Sequence, residues 1–130
     1  MKSVTDCKNT VLVVDDEARI VELTRLALEP QGYTVIGALN GGDALELYAD
    51  HHPDLAFAIL DYMLPDMLGD ELLERLMAID DTVRCIAASG CCVDEIAESF
   101  LTGTATFIPK PFGVETLMEH IAEVAVAPTS

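Results

Sequence analysis

Five polar residues carry the chemistry of this chain, and each follows a short apolar run. Asp15 and Asp16 follow Val11-Leu12-Val13-Val14, and Asp61 follows Leu55–Leu60. Ser89, with Gly90 after it, follows Arg84–Ala88, and Lys110 stands between Pro109 and Pro111 just after Ala105–Ile108. Taken singly, each has an ordinary use. A vicinal Asp pair caps a helix or makes a turn, Asp61 and Ser89 are common turn residues, and a lysine is usually a solvated side chain. Lys110 is less ordinary, because the other two lysines, Lys2 and Lys8, sit near the N-terminus and two prolines restrict the backbone around it. Taken together the five are more specific. Three carboxylates brought close cannot all ionise without a compensating cation. Oxygen-only donors select a hard ion, and a shell shared between protein and water suits Mg²⁺. A lysine and a hydroxyl beside such carboxylates offer a phosphoryl group charge neutralisation and hydrogen bonds. No glycine-rich phosphate loop follows the first run, so a nucleotide is not the evident donor. A carboxylate can itself be the nucleophile, giving an acyl phosphate. His51, His52 and His120 read as helix-end or surface residues, which leaves zinc poorly served.

The elements that must position these residues alternate. Apolar runs rich in β-branched residues occur at Thr10–Val14, Tyr33–Ala38, Leu55–Leu60, Arg84–Ala88 and Ala105–Ile108. Helical spacing lies between and after them: Ile20, Leu23 and Ala27; Ala44, Leu47 and Tyr48; Leu72, Leu73, Leu76 and Met77; Val93, Ile96, Ala97 and Phe100; Val114, Leu117, Met118 and Ile121. Asp43 with Glu46 resembles a capping box at the start of the second helix. Five βα units predict a flavodoxin-like (βα)5 α/β sandwich, a parallel sheet with helices on both faces. The first and third runs are apolar throughout, as central strands are, and the second is mixed, as an edge is. The strand order is therefore 2-1-3-4-5, and ligands of such sheets bind at the carboxyl ends of the strands. Four of the five strands end in the polar residues named above.

The chain has 130 residues, with 7 Lys+Arg against 23 Asp+Glu and a net charge of −16. That excess argues against nucleic acid and anionic membrane surfaces, both of which attract clustered Lys and Arg. A hydrophobic content of 51% argues against disorder and for one domain with a real core. No run approaches the roughly 18 apolar residues of a membrane span, and Met1–Thr10 lacks the apolar segment of a secretory signal. Cys7, Cys85, Cys91 and Cys92 show no framework spacing, which predicts reduced thiols in the cytoplasm. Residues 1–9 and 127–130 read as tails around a domain at 10–126.

Four segments together resemble the response-regulator receiver domain of two-component signalling. They are Val11-Leu12-Val13-Val14-Asp15-Asp16-Glu17, Leu60-Asp61-Tyr62-Met63-Leu64-Pro65-Asp66-Met67-Leu68-Gly69, Ala88-Ser89-Gly90 and Phe107-Ile108-Pro109-Lys110-Pro111-Phe112. The resemblance implies that Asp61 accepts a phosphoryl group from a phosphohistidine of a histidine kinase or histidine phosphotransfer protein. It implies Mg²⁺ on Asp16 and Asp61, with Asp15 acting largely through water and the backbone carbonyl of Met63 as a further ligand. It makes Lys110 the phosphate-pairing lysine, Ser89 the switch hydroxyl and Phe107 the switch aromatic. Phe107 is also readable as a plain core aromatic. The Lys110–Pro111 bond is expected to be cis, on family pattern and on the small cost of a cis X–Pro bond. Serine stands where threonine is commoner at position 89, which keeps the hydroxyl, and Leu68 stands where a polar residue is frequent. Met63 and Cys91 flank the site without an acid or amide to position water, which favours a long-lived phosphoform.

Two other classes compete. A flavodoxin-like small-molecule binder would need an aromatic near the crevice for stacking, and Tyr62 is the nearby candidate. A Mg²⁺-dependent phosphatase with Asp61 as nucleophile would need a second acid two residues on, where this chain has Met63. The expectation is therefore a domain that catalyses its own aspartyl phosphorylation and dephosphorylation without turning over free substrates. It would act through a downstream protein target, as a stand-alone regulator, a relay intermediate or the receiver of a hybrid histidine kinase.

Overall fold

The structure is a computed structural model that describes residues 8–90 and 93–126; the side chains of Val93, Ala125 and Val126 are not described. Five strands, β1 (Thr10–Val14), β2 (Thr34–Ala38), β3 (Leu55–Asp61), β4 (Arg84–Ser89) and β5 (Thr106–Pro109), form one sheet in the order β2-β1-β3-β4-β5. Every pairing is parallel. The helices are α1 (Ala18–Leu28), α2 (Gly41–His51), α3 (Gly69–Ile79), α4 (Glu98–Gly103) and α5 (Val114–Val126), with short 3-10 turns at Glu29–Gln31, His52–Asp54 and Val93–Glu95. None of the helices is long and apolar enough to cross a membrane among the described residues.

Alternation along the strands divides the core into two layers. Leu12 and Val14 of β1, with Ala58 and Leu60 of β3, face one layer, where Ala44 and Tyr48 of α2, Leu72 and Leu76 of α3 and Phe100 of α4 cover them. Val11, Val13, Phe57 and Ile59 face the other, under Val21 and Leu28 of α1 and Leu117 and Ile121 of α5. Burial on both faces is why the two central strands read as unbroken apolar runs. Edge strand β2 is partly exposed, at Thr34 and Gly37.

The strands β3, β4 and β5 each run one residue further than the sequence reading, to Asp61, Ser89 and Pro109, and three other departures from it have a local chemical cause. Strand β2 begins at Thr34, because the Tyr33 N–H donates to Leu28 O at 3.3 Å and so belongs to the end of the preceding helix. Gly32 closes that turn at φ 102°, a left-handed conformation that glycine adopts without strain. The cap of α2 is Asn40, not Asp43. The Asn40 side chain accepts from Asp43 N at 2.8 Å, so the capping pair lies three residues earlier than the expected Asp43–Glu46 box. The fourth helix is also interrupted. A 3-10 turn at Val93–Glu95 gives way to extended backbone at Ala97 (ψ 136°), and α4 keeps six residues.

At the amino end of the sheet, Asp80 ties three segments together. Its Oδ1 accepts from Thr82 N at 2.9 Å and Thr82 Oγ1 at 2.6 Å, and its Oδ2 meets His52 Nδ1 at 2.7 Å. Its carbonyl accepts from the buried Tyr48 hydroxyl at 2.6 Å. His51 ends α2, and His120 lies in α5 with Nδ1 at 2.9 Å from Thr116 O. The histidines thus take the helix-end and surface places expected of them.

Candidate functional site

The sheet brings all five polar residues to its carboxyl edge. Asp61 is the last residue of β3 and Ser89 the last of β4, and both are buried. Asp15 follows β1 and is held there twice: its N–H donates to Ala38 O at 3.0 Å, and its Oδ1 accepts from Glu17 N at 2.9 Å. Asp16 is exposed. One carboxylate oxygen from each of Asp15, Asp16 and Asp61 lies within 4.8 Å of the others. Lys110 follows β5, and its N–H donates to Ser89 O at 2.9 Å. Its Nζ lies 2.6 Å from Asp15 Oδ2, 3.3 Å from Asp61 Oδ2 and 4.0 Å from Glu17 Oε1. The Lys110–Pro111 bond is cis, as the sequence reading expects. Phe107 is half-buried on β5 opposite Ala87 and packs against the layer that contains Leu60.

Burial sets the electrostatics. It pushes the Asp61 carboxyl up to about 6; the Lys110 charge works against that rise and the Asp15 charge adds to it. The Met63 N–H donates to Asp61 and favours its ionised form. Burial also raises Asp15, although its bonds with Lys110 and Glu17 oppose the shift. Burial alone would lower Lys110, but the hydrogen bond to Asp15 and the charges of both carboxylates outweigh it, so the ammonium is held. Two desolvated acids are therefore compensated by a single cation. The donor set is oxygen throughout, is acidic, and already draws an ammonium between two of its members, so it fits a hard divalent ion.

The segment after Asp61 is a closed excursion. Gly69 N donates to Tyr62 O at 2.6 Å, and Met63 bridges Leu68 in antiparallel fashion. Its tip is pinned by Asp66, whose carboxylate accepts from Gly41 N at 2.8 Å and Gly42 N at 2.9 Å at the start of α2. A Cβ on Gly41 would lie 2.6 Å from Met67 Sδ, so a larger residue there would have to displace the flexible Met67 side chain. The Met63 side chain is 53% exposed beside the site. Sequence reasoning assigned no role to Asp66 or to Glu17. Asp66 lies 24 and 25 residues from its partners, and no local pattern announces that contact. Tyr62 is buried against Phe100, with ring centroids 5.2 Å apart, and its hydroxyl accepts from Ala97 N at 3.1 Å. Its ring is thus committed to the core, and the stacking candidate of a flavodoxin-like binder is lost. Cys91 lies outside the described residues, as does Cys92.

A family model described as the response regulator receiver domain matches residues 11–122. The chain belongs to that family. It is 33% identical over 112 residues to sporulation initiation phosphotransferase F of Bacillus subtilis, covering 85% of this chain and 89% of that protein. It is 35% identical over 119 residues to the phosphate regulon transcriptional regulatory protein PhoB of Pseudomonas aeruginosa, covering 88% of this chain but 51% of that protein. The receiver thus spans most of the first relative and about half of the second. Among solved structures it superimposes on a chain of the CheX–CheY–BeF3–Mg²⁺ complex of Borrelia burgdorferi, with TM-score 0.85 and 27% identity over 95% of this chain and 94% of that one. The receiver is therefore a two-component module with a CheY-like flavodoxin fold.

Proposed function

We propose that residues 10–126 form a phosphoryl-accepting switch in which Asp61 takes the phosphoryl group of a phosphohistidine. The observation that carries this reading is the buried Asp61 carboxylate at the end of β3, with Lys110 at 3.3 Å and two further aspartates within 4.8 Å. An Asp61 oxygen forms the new bond to phosphorus as the bond from phosphorus to the histidine nitrogen breaks, and because the other ring nitrogen of the phosphohistidine carries a proton, neutral imidazole leaves. Lys110 pairs with a phosphoryl oxygen, and the Ser89 hydroxyl donates to another. Asp15, Asp16, Asp61 and the Met63 carbonyl are the groups that would hold Mg²⁺. When bound, the ion neutralises the acidic cluster and the charge of the transferring group. Ser89 and Phe107 then form the switch that alters the surface offered to a downstream protein.

The phosphodonor is a histidine kinase or a histidine phosphotransfer protein, and the reaction takes place in the cytoplasm. The likeness to a sporulation initiation phosphotransferase supports a relay role, and the likeness to the receiver half of PhoB supports a regulatory one. Met63, two residues beyond the nucleophile, supplies no second acid, so free phosphomonoesters are not turned over.

Incubation with acetyl phosphate and Mg²⁺ should add the mass of one phosphoryl group, and Asp61→Asn should prevent it. Undiminished labelling of that variant would overturn the assignment.

A further inference from the structure

We propose that Tyr62 is a positioning residue that couples the state of Asp61 to α4, an inference that rests on the phosphoacceptor reading above. Tyr62 follows Asp61 directly in the chain, so a displacement of the Asp61 backbone moves it. Its hydroxyl is the acceptor for Ala97 N at 3.1 Å, and Ala97 is the cap residue of α4. An alanine has no side-chain oxygen to cap a helix, and six residues are too few for a helix to stand alone. Contacts from outside α4 must therefore hold it. The Ala97 carbonyl accepts from Phe100 N at 3.0 Å and Leu101 N at 3.3 Å, so the hydroxyl that fixes Ala97 fixes the first turn.

The ring makes the second connection. Tyr62 and Phe100 are both buried, with centroids 5.2 Å apart and planes at 50°. Gly69 lets them meet at the site: a Cβ there would lie 2.8 Å from Asp61 O and from Tyr62 Cα, and 2.9 Å from Phe100 Cε1. The phosphoacceptor backbone, the tyrosine and the central aromatic of α4 thus converge on a spot that admits no side chain. Packed interiors transmit such displacements rather than absorb them. Tyr62 is thereby a link between site and surface distinct from Ser89 and Phe107, and it leads to one short helix.

Tyr62→Phe keeps the ring and removes the acceptor. Its metal-free form should show amide exchange at Ala97, Phe100 and Leu101 faster by roughly tenfold, with the amides of β1 and β3 unchanged. In the unsubstituted protein, Mg²⁺ with beryllofluoride as phosphoryl stand-in should shift the amide resonances of those three residues. In Tyr62→Phe that shift should fall by about half or more, while acetyl phosphate labels Asp61 within roughly twofold of the normal rate. An undiminished shift in the variant, alongside normal labelling, would overturn the coupling and leave the phosphoacceptor reading intact. A labelling rate reduced about tenfold would place Tyr62 in the phosphoryl site and overturn its positioning role. Failure of the unsubstituted protein to label would overturn the functional reading, and the inference with it.

Discussion

Asp61 is held where its charge is least welcome: it is buried, and Asp15 beside it is buried too. Lys110 compensates both, so removing a carboxylate should relieve the metal-free protein. The carboxyl of Asp61 sits at about 6 in the folded state, above the ordinary carboxylate value. A raised carboxyl binds its proton more tightly folded than unfolded, so stability falls as pH rises from about 4 to about 6 and stays low above that. Asp61→Asn is therefore expected to raise the melting temperature in EDTA at pH 8, with a stability gain of at most about 3 kcal/mol. The gain should vanish near pH 4, where the unsubstituted Asp61 is protonated as well. Thermal melts of both proteins at pH 4, 6 and 8 check this, and a constant difference across that range would show that the Asp61 charge is not its source.

At the scale of elements, Asp80 does the opposite with a carboxylate. It follows α3 and joins that helix to the turn after α2 and to the approach to β4. Bonds from the Thr82 hydroxyl and N–H and from His52 pull its carboxyl down to about 2. A lowered carboxyl contributes its stability above the unfolded value near 4 and loses it as pH falls toward 2. Asp80→Ala should accordingly cost about 1–3 kcal/mol at pH 7. Its penalty should shrink toward pH 2, where the unsubstituted side chain is protonated too. Urea titrations at the two pH values make the comparison; an equal penalty would assign the effect to lost packing rather than to the ionised carboxylate. The brace lies at the amino end of the sheet, so labelling of Asp61 in the folded variant should be unaffected.

For the whole molecule, a net charge of −16 and a gathered acidic cluster make folding and cation binding one problem. A divalent ion that binds the folded site and not the unfolded chain must stabilise the fold by linkage. With a dissociation constant of about 1 mM, roughly 10 mM Mg²⁺ adds about 1.4 kcal/mol, a melting shift of roughly 3–6 °C for a domain of this size. NaCl of matched ionic strength should give less, because screening acts on every exposed charge and rewards no particular geometry. Asp16→Asn should shrink the Mg²⁺ shift while leaving the NaCl shift in place, since Asp16 is exposed and belongs to the cluster. Equal shifts from the two salts would mean that these carboxylates do not form a metal site.

The architecture was legible because it is written in periodicity. Val11–Val14 and Leu55–Leu60 are apolar on both faces because each lies between two helical layers, and that places them at the centre of the sheet. The residues of the acidic cluster were legible because an open parallel sheet collects its strand ends at one edge, and four of those ends are polar. Tertiary structure alone decided the contacts between segments far apart in the chain. Asp66 reaches α2 across 24 and 25 residues, and Tyr62 reaches Ala97 across 35. It also shortened the fourth helix. The spacing of Val93, Ile96, Ala97 and Phe100 suits a continuous helix, yet Ala97 is extended and gives its N–H to the Tyr62 hydroxyl. Periodicity reports which face of a segment is buried, but not which neighbour covers it, and a polar partner from a distant loop can prevail over a local helical turn of only a few residues.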